Sequence, residues 1–160
     1  MDWYTELFFA ARMLYAALLG ALVGYERERD GCEAGIRTFA AVSFGSCAFS
    51  LISLHVVGGD PTRIAAQVVT GIGFIGAGVI LQVKGRTSGL TTAATVWACA
   101  SVGMASAFGM YLLALLTALL LFCTLYLHHL PIWRTLRRRR DERRCHDEER
   151  GTSSLPSSNP

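Results

Sequence analysis

Between Asp60 and Asp141 the chain contains no aspartate or glutamate. That absence excludes a carboxylate pair in this stretch to hold Mg²⁺, which prefers carboxylates together with retained waters. It also excludes a dinucleotide reading of Gly71-Ile-Gly-Phe-Ile-Gly76. A G-x-G-x-x-G turn needs an acidic residue about 20 positions on to hold the ribose. No CxxC occurs among the five cysteines, and no Ser-His-Asp, HExxH or Walker pattern is present. The expectation is therefore a protein that is not an enzyme, without cofactor or bound metal. The N-terminus carries Asp2 and Glu6 and no basic region ahead of its first apolar run. This does not fit a cleavable secretory peptide, so the first run should persist as a mature span.

What is present is apolar sequence. Residues of the apolar class make up 52% of the chain. They fall into five runs, Leu7–Tyr25, Ile36–Val57, Ile64–Val83, Thr92–Phe108 and Met110–Leu130. A helix needs about 20 residues to cross roughly 30 Å of hydrocarbon. The fourth and fifth runs are parted only around Gly109, and two separate spans fit a bilayer better than one very long helix. Thirteen of the 15 basic residues lie after the first run (Arg27, Arg29, Arg37), after the third (Lys84, Arg86) or in the tail beyond Pro131. Basic residues favour the cytoplasmic side. Five spans place all three groups there. The predicted fold class is all-α: a polytopic helical membrane protein with about five transmembrane helices, N-terminus outside and C-terminus cytoplasmic. Residues 1–130 form the transmembrane domain, and 131–160 a basic cytoplasmic tail ending in a disordered Ser/Pro segment. The partners so implied are the lipid bilayer, and anionic lipid for the tail. Nucleic acid is not expected, because the basic run has no interleaved aromatics. Cys47, Cys99 and Cys123 fall within the apolar runs and should pack as small apolar groups. Cys32 and Cys145 face a reducing compartment. Cys145–His146 lacks a second ligand pair. His128, His129 and Trp133 sit where interfacial rings are favoured.

Small residues recur at four-residue spacing: Ala16, Gly20 and Gly24 in the first run, and Thr95, Cys99, Gly103 and Ala107 in the fourth. Such rows let helix backbones approach closely in lipid. The third run holds Gly71, Gly73, Gly76 and Gly78 within eight residues. That density predicts either very close packing or a locally opened helix beside a cavity. Ionisable groups near lipid are costly and mark pairing or function. The candidates are Arg12, Glu26, Arg37, Asp60, Arg63 and the polar Gln67. Asp60 also suits a helix cap ahead of Pro61. Arg12 has no acidic neighbour within its own run, which predicts an ion pair with Asp60, with Arg63 as the competing partner. Gly89, Thr91 and Thr92 mark a helix start whose amides and hydroxyls suit either an anion or ordinary capping.

Taken together, Gly24-Tyr-Glu-Arg-Glu-Arg29, Ala34-Gly-Ile-Arg-Thr38, the long string Asp60–Ile80 and Gly89-Leu-Thr-Thr-Ala-Ala-Thr-Val-Trp-Ala98 resemble the MgtC/SapB family in order and spacing. The resemblance covers roughly Leu7 to Leu130. It implies a bacterial inner (plasma) membrane protein linked to growth at low magnesium and to virulence through survival in host phagocytes. In the best-studied branch it implies a regulator of the F-type ATP synthase rather than a transporter, although the family carries a magnesium-transport label. That branch has a sizeable soluble C-terminal domain. Here only about 30 charged or Ser/Pro-rich residues follow Leu130, which suggests the short, SapB-like form. Two function classes stay open. One is a regulator that binds another membrane protein, or a second copy, through its glycine ridges. The other is a small-solute or ion transporter, with Mg²⁺ as the named candidate and a polar site drawn from Glu26, Arg37, Asp60, Arg63 and Gln67.

The charge distribution yields a direct test of topology. Reporter fusions at Met1 and Gly59 should report the outer side and a fusion at Pro160 the cytoplasm. A cytoplasmic signal at Gly59 contradicts the five-span arrangement.

Overall fold

The computed structural model describes residues 3–55, 60, 63–83 and 86–127, with only the backbone of 81–83 and 86–87. His128, His129, Pro131, Trp133, Cys145 and the tail lie outside the described residues, as do Lys84 and the ends of the second and fifth apolar runs. The chain divides into two units, Met1–Leu125 and Tyr126–Pro160; the architecture below is that of the first.

Five helices and one short hairpin follow in order: α1 Trp3–Arg29, α2 Ile36–His55, α3 Arg63–Val79, β1 Leu81–Val83, β2 Arg86–Ser88, α4 Leu90–Ala107 and α5 Tyr111–Tyr126. Among these, α1, α2 and α4 are long and apolar enough to cross a membrane, while α3 and α5 are shorter apolar helices of 17 and 16 residues. Leu112, Leu113, Leu116 and Leu120 of α5 and Phe74 of α3 are all exposed. So much exposed apolar surface suits lipid contact.

Helix ends follow local chemistry. α1 stops at Gly31, whose φ of 72° is open to glycine without strain. The Gly31 N–H donates to the Glu28 carbonyl and the Cys32 N–H to the Arg27 carbonyl, the paired bonds of a Schellman ending. α4 ends in the same way at Gly109, with Gly109 N–H to Ser106 and Met110 N–H to Ala105. α4 and α5 are therefore two helices. The third element departs from the expected Ile64–Val83 span: its helix closes at Val79, and Leu81–Val83 pairs antiparallel with Arg86–Ser88, Gln82 opposite Thr87. The β-branched and aliphatic residues of the Val-Ile-Leu-Gln-Val run favour strand. Among the described residues this hairpin is the exception to an otherwise helical architecture.

The bundle is built around α2, which lies against α1 along the most extensive interface and against α4 along the next. α2 buries Phe39, Ser43, Ser46, Cys47, Ser50, Leu51 and Ser53. Four of these are serines at spacings of three and four, a stripe of small side chains facing the core. Ser43 sits at the crossing. A Cβ on Gly20 of α1 would come within 2.5 Å of the Phe39 carbonyl and 2.7 Å of the Ser43 Cβ, and a Cβ on Gly103 of α4 would strike the Ser43 carbonyl. Ala16, Gly20 and Gly24 of α1 and Thr95, Cys99, Gly103 and Ala107 of α4 are all buried, so both small-residue rows form interfaces.

The glycines of α3 behave differently. A Cβ at Gly71, Gly73 or Gly78 would meet nothing within 4 Å, and one at Gly76 would make ordinary contact with Ala93 at 3.7 Å. The close packing expected there is not made within this chain. α3 turns Ala65, Ile72 and Gly76 inward and leaves most of its glycine-bearing face open.

Substitution should separate the two sets. Gly103→Ala forces bulk against a backbone carbonyl and should cost about 1–3 kcal/mol. Gly73→Ala meets open space and should be neutral or stabilise by up to about 1 kcal/mol through helix propensity. Unfolding of the purified proteins in detergent, followed by heat or denaturant, reads the difference.

Candidate functional site

The two rows that bury α1 run on into charge. Ala16, Gly20 and Val23 lead to Arg27, and Leu19 and Val23 lead to Glu26. Helical spacing therefore drives both ionisable side chains into the protein: Glu26 is 0% exposed and Arg27 9%. Each residue from Gly24 to Gly31 that this end uses has an identifiable task. Gly24 lacks a Cβ where one would lie 2.6 Å from the Cα of Ile36, so the start of α2 seats on α1. Glu28 Oε2 accepts the Ile36 N–H at 3.0 Å and caps α2 from a distance. Arg29 reaches back to Glu26 at 3.9 Å. Arg27 crosses to α4, where its Nη2 donates to Thr92 Oγ1 at 2.6 Å.

α4 begins beside this cluster. Its N-cap is Gly89, at φ 85°, which brings no side-chain cap. The left-handed conformation and the absence of a Cβ are both required there, because a side chain would strike the Val79 carbonyl at the end of α3. The first turn carries Thr91, exposed, and Thr92, half-buried. The ends of α1 and α3 and the starts of α2 and α4 thus meet around Arg27 and Glu26. Arg27 Nε is buried and has no hydrogen-bond partner. Among the described residues no carboxylate forms an ion pair with Arg27.

The opposite end is held by Arg12. Its Nη1 donates to the Ala107 carbonyl and its Nε to Tyr111 Oη at 2.9 Å. The guanidinium lies 4.5 Å from the Phe8 ring centroid and 5.9 Å from that of Tyr111. Tyr15 Oη adds a bond to the Tyr111 carbonyl at 3.0 Å, and the two tyrosine rings meet edge to face. The expected Arg12–Asp60 pair is not formed. A cation is favoured at the C-terminal end of α4, where carbonyls lack intrahelical partners, and two aromatic rings enclose it there. The Asp60 carbonyl accepts the Arg63 N–H at 3.1 Å as α3 begins.

The remaining polar candidates do not converge. Arg37 is exposed at the start of α2, close to the Glu26 end. Asp60, Arg63 and Gln67 are exposed at the start of α3. That start adjoins the far end of α2, where Ser53 Oγ accepts the Ala65 N–H at 3.4 Å. The 20 residues of α2 put roughly 30 Å between the two groups. Glu26, Arg37, Asp60, Arg63 and Gln67 therefore share no single pocket. The sequence reading overlooked the capping role of Glu28, the Tyr15–Tyr111 clamp and the serine stripe. Of these only the stripe left a readable signal, in the spacing of Ser43, Ser46, Ser50 and Ser53.

Arg12→Met should lower stability by about 2 kcal/mol, since it removes charged hydrogen bonds to a helix end together with a cation–π contact. Arg63→Met, at an exposed position, should change it by less than about 0.5 kcal/mol. Paired denaturation curves in one detergent check both values.

Comparison with known proteins gives this architecture its relatives. The MgtC family matches residues 13–130. Over 130 residues the chain is 42% identical to a protein of Escherichia coli K12 named "Putative magnesium transporter YhiD", covering 76% of this chain and 60% of that one. Over 111 residues it is 44% identical to Protein MgtC of Salmonella typhimurium LT2, covering 69% of this chain and 48% of the relative. An uncharacterised protein of Haemophilus influenzae is 36% identical over 150 residues, covering 87% and 63%. The chain thus spans about half to three-fifths of the curated relatives it matches. No solved structure matches it. With the family match running through all five helices, the chain belongs to the MgtC family.

Proposed function

We propose that the protein is a non-enzymatic, multi-pass protein of the bacterial inner membrane that supports adaptation to low magnesium or host stress by regulating another membrane protein. The family resemblance supplies the F-type ATP synthase as the first partner to test. The observation that carries this reading is the open face of α3. Gly71, Gly73 and Gly78 have nothing within 4 Å of a Cβ position, and Phe74 is 84% exposed beside them. In lipid, helices associate through small residues that admit a neighbouring backbone, with a large side chain packing alongside. A face of that composition fits a helix from another protein, or from a second copy.

A second reading, transport, is favoured by the name given to YhiD. The described residues contain no group of three or more His, Cys, Asp or Glu able to hold a metal ion. Their polar candidates divide between two ends of the bundle, which supports regulation over a fixed Mg²⁺ site along a path.

Gly73→Leu distinguishes the readings. Inside the chain a Cβ at Gly73 meets nothing within 4 Å and the position is exposed, so the variant should accumulate and unfold like the parent. Its support of growth in magnesium-poor medium, measured in a host lacking its own family member, should fall at least tenfold. Proteoliposomes of the parent should show no Mg²⁺ flux above protein-free vesicles. Measurable flux that Gly73→Leu leaves unchanged favours transport.

A further inference from the structure

The Arg27 end contains an electrostatic arrangement that the packing alone does not explain. A guanidinium is buried against the N-terminal turn of α4, the positive end of that helix's dipole. Arg27 itself lies in the last turn of α1, the negative end of that helix, and the buried Glu26 carboxylate is its chain neighbour, so charges of both signs meet in a place with little water. A buried charge is expensive unless it is paired and its donors are satisfied. Here the guanidinium has one hydroxyl, Thr92 Oγ1, on Nη2, while Nε is buried with no hydrogen-bond partner. Among the described residues no carboxylate forms an ion pair with it. Nε and Nη2 are neighbouring donors on one edge of the guanidinium, the edge that binds carboxylate or phosphate through two parallel bonds. One donor of that edge, Nη2, meets the first turn of α4 at Thr92, and the other, Nε, is unused.

The rest of the turn suits the same ligand. Gly89 brings no side chain to the N-cap, so nothing on that residue competes for the helix's leading amides. Ser88 and Thr91 are exposed, and Gly89 and Thr92 are half-buried, so the turn can be reached from outside. Backbone amides, hydroxyls and one bidentate guanidinium edge make a donor set matched to an oxyanion with several acceptor oxygens.

We propose that Arg27 and Gly89–Thr92 form a phosphate-binding site. The ligand chemistry is a tetrahedral phosphate group, carried by a phospholipid headgroup or by a free phosphate. Arg27 supplies charge and the two-donor edge, and Thr92 stands between that edge and the exposed turn.

The test uses the full chain in two arms. In the first, inorganic phosphate is titrated against chloride at matched ionic strength and detergent-solubilised protein is followed by thermal unfolding. In the second, native mass spectrometry counts retained phosphatidylglycerol against a phosphate-free galactolipid. A saturable rise in Tm with phosphate assigns the free ion; selective retention of phosphatidylglycerol assigns the headgroup. In whichever arm responds, Thr92→Val should weaken binding several-fold, and Arg27→Lys, which keeps the charge and loses the paired edge, at least tenfold. Arg27→Gln should abolish it. If Arg27→Gln fails to accumulate, the other two variants carry the comparison. Thr91→Val, which does not touch Arg27, should have a smaller effect than Thr92→Val. The proposal is overturned if neither arm shows a preference for phosphate, or if the parent, Thr92→Val and Arg27→Lys bind alike.

Discussion

The bundle depends on one close crossing, where Ser43 of α2 is held between Gly20 of α1 and Gly103 of α4. There is no room for a methyl group on either side. In lipid the drive to bring helices together is dispersion and hydrogen bonding, not release of water, so the separation of backbones sets the strength of association. Two glycines facing one small residue let three helices approach together. Cys99 Sγ donates across from α4 to the Phe39 carbonyl of α2 at 3.5 Å, while Ser106 Oγ donates within α4 to the Val102 carbonyl at 2.8 Å. α3 packs on α4 and α2, two of the helices the clamp brings together.

On either side of the crossing the two ends of the bundle are fastened by arginines in different ways. Arg12 ties α1 to the α4–α5 turn through a carbonyl and two aromatic rings. Arg27 ties α1 to the start of α4 through a single hydroxyl. The first guanidinium meets the negative end of α4, and the second, from the last turn of α1, meets the positive end of α4. The same side chain is therefore a stabilising element at one end and an unsettled one at the other.

Much of the fold was legible in the residues. The apolar runs located all five helices, because hydrophobic length is a strong constraint in a bilayer. The rows at Ala16–Gly24 and Thr95–Ala107 were readable because small residues four apart lie on one helical face. The α3 glycines misled, since composition reveals that a face is narrow but not whether this chain supplies its neighbour. The hairpin at Leu81–Ser88 was hidden inside an apolar run, where strand and helix share composition. At the candidate site, Glu26 and Arg27 lay in a recognisable motif. Their burial depended on the phase of α1, which the charged residues themselves obscured. The Arg12–Asp60 pairing failed because charge counting ignores helix-end carbonyls and aromatic faces, which satisfied Arg12 closer at hand.

The shortness of α3 bears on where in a membrane the protein is comfortable. Seventeen residues rise about 25 Å, while the 27 of α1 rise about 40 Å. The perimeter of the bundle is therefore uneven in height. With α3 as one of the proposed spans, lipid wetting its open face would thin locally by roughly 5 Å from an average hydrocarbon layer, at fractions of a kcal/mol per ångström. A partner helix of the kind proposed would take the place of the deformed lipid and relieve the mismatch as it docks. Under the proposed association on that face, bilayer thickness is a control on docking: thin, fluid membrane favours the bare bundle, and thicker membrane favours the covered one.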